Sequence, residues 1–143
     1  MDNLISSIKE KYVFGDKLST IKPLLEDYKS TDWVKWSNFS HLNYKRNLVY
    51  RDDKIEILLL CWNPEQQTSV HDHSHNGCIV KLLEGELIET IFSQKQIQSH
   101  KLLQDDITYL DNSIGVHKIE NGRLYSVSLH IYSPPNYICK KIE

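Results

Sequence analysis

Apolar residues recur at helical spacing through the first forty positions and then switch to short runs and alternation. In residues 17–29, Leu18, Ile21, Leu24, Leu25 and Tyr28 fall three or four apart, the stripe of an amphipathic helix. Ser19 or Thr20 is placed to cap its start, and Pro23 is tolerated within its first turn. Shorter helices are expected over residues 4–12 and 32–37. An apolar helical stripe ordinarily packs on a core, so these helices, with Trp33 and Trp36, are expected on the outside of a sheet.

From Arg46 onward the texture is that of strands. LVYR at 48–51 and KIEILLLCW at 54–62 alternate or run apolar, and PEQQ at 64–67 reads as a connection. CIVKLL at 78–83, a Glu84-Gly85 turn and ELIETIF at 86–92 predict a hairpin. Further short strands are expected at 98–102, 107–109, 115–119 and 123–131. Many short strands separated by Gly, Asn, Asp and Pro, with no helices between them, predict a mainly β fold, an antiparallel β-barrel or sandwich preceded by two or three α-helices. One domain is expected over residues 1–143, helical over 1–40 and β from 42 to 139.

Composition narrows the partners. No apolar run reaches the eighteen or so residues of a membrane span, and MDNLISSIKEK lacks the apolar centre of a signal peptide. Three cysteines form no paired framework, which suits a reducing, cytoplasmic setting. With a formal net charge of −2 and scattered lysines, there is no basic stripe for nucleic acid. The expected partner is a small molecule, and the expected state is a monomer.

The chemistry concentrates in three places. On a strand, His71 and His73 share a face while Asp72 looks away, so two imidazoles stand side by side. His117, in DNSIGVHKIEN at 111–121, supplies a third ring, and three imidazoles with vacant positions describe a catalytic metal site. Spacing alone leaves iron and zinc both open. His75 is carried off by the Asn76-Gly77 turn and, like His41 and His100, is left out of the ligand set. Ser128, His130 and Tyr132 alternate along one strand opposite Val127, Leu129 and Ile131, which makes them a polar wall for a cavity. Arg46 offers a planar donor fork suited to a carboxylate. Cys61, following LLL, is expected in the core; Cys139 is assigned no role.

His71-x-His73 with Gly85 after it, then Gly115-x-His117 with Asn121, resembles the two halves of the cupin metal motif. Most cupins carry a ligating glutamate where Cys78 stands here. CW at 61–62, HDH at 71–73, Cys78, KLLEGEL-ET at 81–90, DNSIGVH-K-EN and SLHIYSPP at 128–135 together resemble the cysteine dioxygenase family, over about residues 42–139. YKRNL at 44–48 is similar to that family's substrate-arginine segment.

The resemblance implies a cupin jelly roll and ferrous iron on His71, His73 and His117. Three neutral ligands leave the metal charge uncompensated, so a substrate thiolate can supply the anion. It implies L-cysteine bound through sulfur and amine, and dioxygen added to sulfur to give cysteine sulfinic acid. It also implies Arg46 on the substrate carboxylate with Tyr44 in support, Tyr132 as a catalytic donor held by His130 and Ser128, and a possible thioether cross-link between Cys78 and Tyr132. Superfamily members that prefer 3-mercaptopropionate typically carry glutamine at the Arg46 position. Better-known members of that family, as in animals, continue for several strands after SPP, whereas this sequence ends at Glu143, so substrate choice is expected to be less tightly set than the metal site. A dioxygenase for another small thiol, and a metal-binding cupin without oxygenase activity, such as a zinc isomerase or hydrolase, are the alternatives.

Overall fold

The computed structural model describes residues 1–142, so Glu143, the last position of the expected domain, lies outside them. Two α-helices open the chain, α1 (Asp2–Lys11) and α2 (Lys22–Asp27), with one 3-10 turn, Leu18–Ile21, before α2 and another, Asp32–Trp36, after it. Eight strands follow: β1 (Lys45–Arg51), β2 (Glu56–Trp62), β3 (Cys78–Glu84), β4 (Leu87–Phe92), β5 (Ile97–Leu102), β6 (Ile107–Leu110), β7 (Val116–Asn121) and β8 (Ser126–Tyr132). No helix among the described residues is long and apolar enough to cross a membrane.

The expected helix over 17–29 is split. Pro23 sits in the first turn of α2, because its ring tolerates a helix start and not an interior, and the preceding turn winds tighter. Neither Ser19 nor Thr20 caps α2; the Thr20 hydroxyl donates to the Lys17 carbonyl at 2.9 Å instead. The helical part ends at Trp36 and the first strand starts at Lys45, so residues 37–44 are connection and not helix or barrel. Residues 123–125 likewise belong to the turn before β8.

The strands form two antiparallel sheets and not a closed barrel: five in the order β1-β2-β8-β3-β6 and three in the order β5-β4-β7. Every residue of β2 is buried because its sheet is covered on both sides. Ile57, Leu59 and Cys61 pack with Leu4, Ile8, Leu18, Ile21 and Leu25 of the helical layer, joined by Val127, Leu129 and Ile131 of β8. The alternate residues Leu58, Leu60 and Trp62 face between the sheets, against Leu87, Leu102 and Ile119. Trp33 and Trp36 pack, half-buried, on the helix-side core as expected.

One pairing differs from expectation. The Glu84-Gly85 turn does not close a hairpin, since β3 pairs with β6 and β8 while β4 pairs with β5 and β7. The turn hands the chain from one sheet to the other. Gly85 is required there: its φ is +88°, and a Cβ would collide with the Ser126 hydroxyl and the Tyr125 carbonyl. On β3, Lys81 points into the helical layer with no exposure and donates to the Leu25 and Tyr28 carbonyls at 2.8 and 2.6 Å, anchoring the end of α2.

Candidate active site

Two backbone segments bring the histidines together. His117 lies inside β7, and the extended loop between β2 and β3 runs beside it: His71 N–H donates to the His117 carbonyl at 2.9 Å, and His117 N–H returns the bond at 3.1 Å. His71 and His73 are therefore not on a regular strand, as the alternation argument supposed, yet local extension gives the same result. The Asn112 side chain acts as a surrogate strand partner, accepting from His73 N–H and donating to its carbonyl, both at 3.0 Å.

The ring nitrogens converge. His73 Nε2 lies 2.8 Å from His117 Nε2, which lies 3.2 Å from His71 Nε2, and one ligand atom from each ring falls within 4.8 Å of the others. Two of the outer nitrogens have acceptors. His71 Nδ1–H donates to the Ser69 carbonyl at 2.7 Å, and His117 Nδ1–H donates to Glu89 Oε2 at 2.5 Å, since both partners only accept. His73 Nδ1 is buried with no partner among the described residues. Burial, then repulsion from the His117 ring, pushes His71 down to about 4; burial, then repulsion from His117 and His71, pushes His73 down to about 2. At neutral pH both stay uncharged.

Unprotonated ring nitrogens facing one another this closely repel, and a cation held between them relieves that repulsion. Ligands bonded at about 2.1 Å to one ion lie roughly 3 Å apart, close to the two separations from His117, 2.8 and 3.2 Å. The residues therefore fit a metal ion.

Glu89 was not singled out as a site residue in the sequence, although it lies within the KLLEGEL-ET stretch. It has no exposure, and besides His117 it accepts from Thr108 Oγ1 at 2.7 Å and contacts His100 Nε2 at 3.0 Å. Burial pushes its carboxyl up, but bonds from His117 and Thr108 outweigh that and hold it below the usual range. The site that lacks a carboxylate ligand thus carries a carboxylate one residue removed. The readable signal was a charge at an inward position of β4, in step with Leu87.

The rings open onto a cleft of about 240 Å³, below the roughly 300–1,000 Å³ of sites for drug-sized ligands, so it suits a small molecule. Arg46 and Tyr44 of the β1 side, Cys78, His130 and Tyr132 line it with the three histidines. Arg46 Cζ lies 5.8 Å from the Tyr132 ring centroid, and among the described residues no carboxylate pairs with it. Tyr44 stacks on Trp62, with centroids 4.7 Å apart.

Ser128, His130 and Tyr132 share the face between the sheets and form a hydrogen-bonded row whose polarity can be read. Trp62 Nε1–H, a donor only, gives to Ser128 Oγ at 3.0 Å, and Ser128 gives its proton to His130 Nε2 at 2.7 Å. Burial, then the Arg46 charge, keeps His130 neutral, so Nδ1–H donates to Tyr132 Oη at 3.1 Å. The Tyr132 proton is left free for the cleft.

Cys78 stands directly across from Tyr132 in the β3–β8 register. Burial pushes its thiol well up, so it remains protonated and outside the metal-ligand cluster. His75 is exposed, and His41 meets Asn63 at 3.2 Å, both outside the cluster. Cys61 is in the core, and Cys139 lines the cleft.

Solved structures agree on the architecture. A double-stranded β-helix protein from Klebsiella pneumoniae superposes with a TM-score of 0.67 at 18% identity, covering 82% of this chain and 93% of that one. A cupin superfamily protein from Desulfitobacterium hafniense gives 0.58 at 16% identity over 68% of this chain and 83% of its own. In sequence, the chain is 36% identical to cysteine dioxygenase type 1 of Danio rerio, over 100% of this chain and 79% of that protein, and 33% identical to that of Homo sapiens, over 90% and 72%. The family model for cysteine dioxygenase type I matches residues 7–143. With a cupin-type sandwich, three converging imidazoles and this match over nearly its whole length, the chain belongs to the cysteine dioxygenase type I family.

Proposed function

We propose that this protein is an iron-dependent cysteine dioxygenase, converting L-cysteine and dioxygen to L-cysteine sulfinic acid with both oxygen atoms on sulfur. The observation that carries the reading is one small cleft on which three imidazole nitrogens converge, lined also by an arginine that pairs with no carboxylate among the described residues. His71, His73 and His117 would hold the metal, and ferrous iron there would supply redox chemistry toward a thiolate and dioxygen.

The chain's own groups do the remainder. Arg46 grips the substrate carboxylate in a bidentate, charge-assisted pair, which orients the sulfur and amine toward the histidines. Tyr44, braced by its stack on Trp62, closes the side of that grip. The Trp62–Ser128–His130 row holds the Tyr132 oxygen and leaves its proton to donate to the substrate, while burial keeps the phenol and the Cys78 thiol protonated. As cross-strand partners, Cys78 and Tyr132 are near enough to be joined by a thioether, formed with loss of two electrons and two protons to dioxygen; intact mass lower by two hydrogens detects it. Protonated thiols and a ferrous site suit the cytoplasm.

Protein loaded with ferrous iron, given L-cysteine and labelled dioxygen, yields sulfinate carrying two labelled oxygens. Turnover of 3-mercaptopropionate in preference to L-cysteine gives the other thiol reading, and absence of oxygen uptake with zinc retained gives a non-oxygenase cupin.

A further inference from the structure

Asp72 separates two of the metal-binding histidines, and its side chain turns away from the ring cluster. It does not face solvent idly. Tyr137 Oη–H donates to Asp72 Oδ2 at 2.8 Å, and Lys140 N–H donates to Oδ1 at 2.6 Å. The backbones continue the attachment: Asp72 N–H donates to the Lys140 carbonyl at 3.1 Å, Ile142 N–H donates to the Val70 carbonyl at 2.8 Å, and His71 bridges to Lys141. The segment after β8 is thereby laid along the metal-binding loop as a strap. Four strap residues, Tyr137, Ile138, Cys139 and Lys141, line the same cleft as Arg46 and Tyr132.

We propose that Asp72 is a positioning residue that couples metal loading to the shape of the substrate pocket, by fastening this strap to the loop that carries His71 and His73. The inference rests on the reading of the cleft as the substrate site. Without a cation, no group among the described residues bridges all three ring nitrogens, and the loop is held by backbone bonds and the Asn112 clamp. With a cation, both residues flanking Asp72 are fixed, so its carboxylate and N–H are fixed as well, and the strap docks on a rigid partner. Linkage is reciprocal: a ligand that favours the docked strap tightens the metal in return.

Cys139 reports on the strap, because Cys61 and Cys78 are buried while Cys139 is only half-buried. Alkylation of Cys139 by iodoacetamide is followed by peptide mass spectrometry, with and without zinc, which binds without turnover. In the unmodified protein zinc slows alkylation about ten-fold, a coupling of ordinary allosteric size. In Asp72→Ala it slows it less than about two-fold, and KM for L-cysteine rises about ten-fold, the effect of losing roughly one charge-assisted hydrogen bond, while iron content and kcat stay within two-fold. Tyr137→Phe, which deletes one hydroxyl on the strap, moves both readouts in the same direction by less and serves if Asp72→Ala fails to fold. Equal zinc protection in the parent and both variants, or an unchanged KM, overturns the inference while leaving the dioxygenase reading intact. Failure of the parent protein to bind metal or oxidise cysteine overturns that reading instead.

Discussion

Replacing Glu89 by glutamine removes one negative charge from behind His117 and leaves the shape nearly unchanged. The carboxylate is fully buried, and its bond to His117 Nδ1, at 2.5 Å, is of the short, charge-assisted kind. Such a bond contributes about 1.5–3 kcal/mol against about 1 for a neutral one, so the substitution weakens support of the His117 ring by about 0.5–2 kcal/mol. Glutamine also brings an amide N–H₂ that must face either His117 or the Thr108 and His100 side, where Glu89 Oε1 now accepts from Thr108. Outer carboxylates of this type alter metal affinity by about 10- to 100-fold, which corresponds to about 1.4–2.7 kcal/mol and overlaps the upper part of the bond estimate. Anaerobic competition of ferrous iron against a chromophoric chelator measures the dissociation constant directly. Glu89→Gln is expected to raise it about 10- to 100-fold and Glu89→Asp by less, because charge is kept while reach is lost. His100→Ala, at a partly exposed contact, is expected to change it only about two-fold. A dissociation constant for Glu89→Gln within two-fold of the parent, with circular dichroism unchanged, refutes the assignment of Glu89 to the metal.

Arg46→Gln removes a bidentate partner worth about 2–3 kcal/mol, so kcat/KM for L-cysteine is expected to fall about 30- to 150-fold, with 3-mercaptopropionate affected less; steady-state oxygen uptake with both thiols checks it. Lys81→Ala strands the Leu25 and Tyr28 carbonyls and is expected to cost about 3 kcal/mol in urea unfolding, with the metal constant unchanged. In metal-free protein, His71 and His73 titrate near 4 and 2 when folded and near 6.5 when unfolded. Their stability contribution is complete above pH 6.5 and is lost as pH falls toward 4 and below, since the unfolded chain takes up protons that the folded one refuses. The urea midpoint should fall between pH 7 and 4.5, and His71→Asn with His73→Asn should flatten that slope.

What the chain alone determined is what depends on near neighbours. Alternation put Ser128, His130 and Tyr132 on one face and Val127, Leu129 and Ile131 on the other, and the step of two between His71 and His73 brought their rings together even though the backbone there is only locally extended. Tertiary structure decided which distant segments meet. Glu89 reaches His117 across 28 positions because β4 and β7 pair in one sheet, and Trp62 reaches Ser128 across 66 because β2 and β8 pair in the other. Gly85 carries turn chemistry that reads as a hairpin, but its conformation also permits a crossing between sheets, and only burial of both flanking strands selects that outcome. The strap on Asp72 has no periodicity to read at all; it is held by bonds across 65 and 68 positions. Side-chain period is set by backbone sterics within a few residues, whereas pairing register is set by the free energy of the whole core, and that quantity is written in no single stretch of the chain.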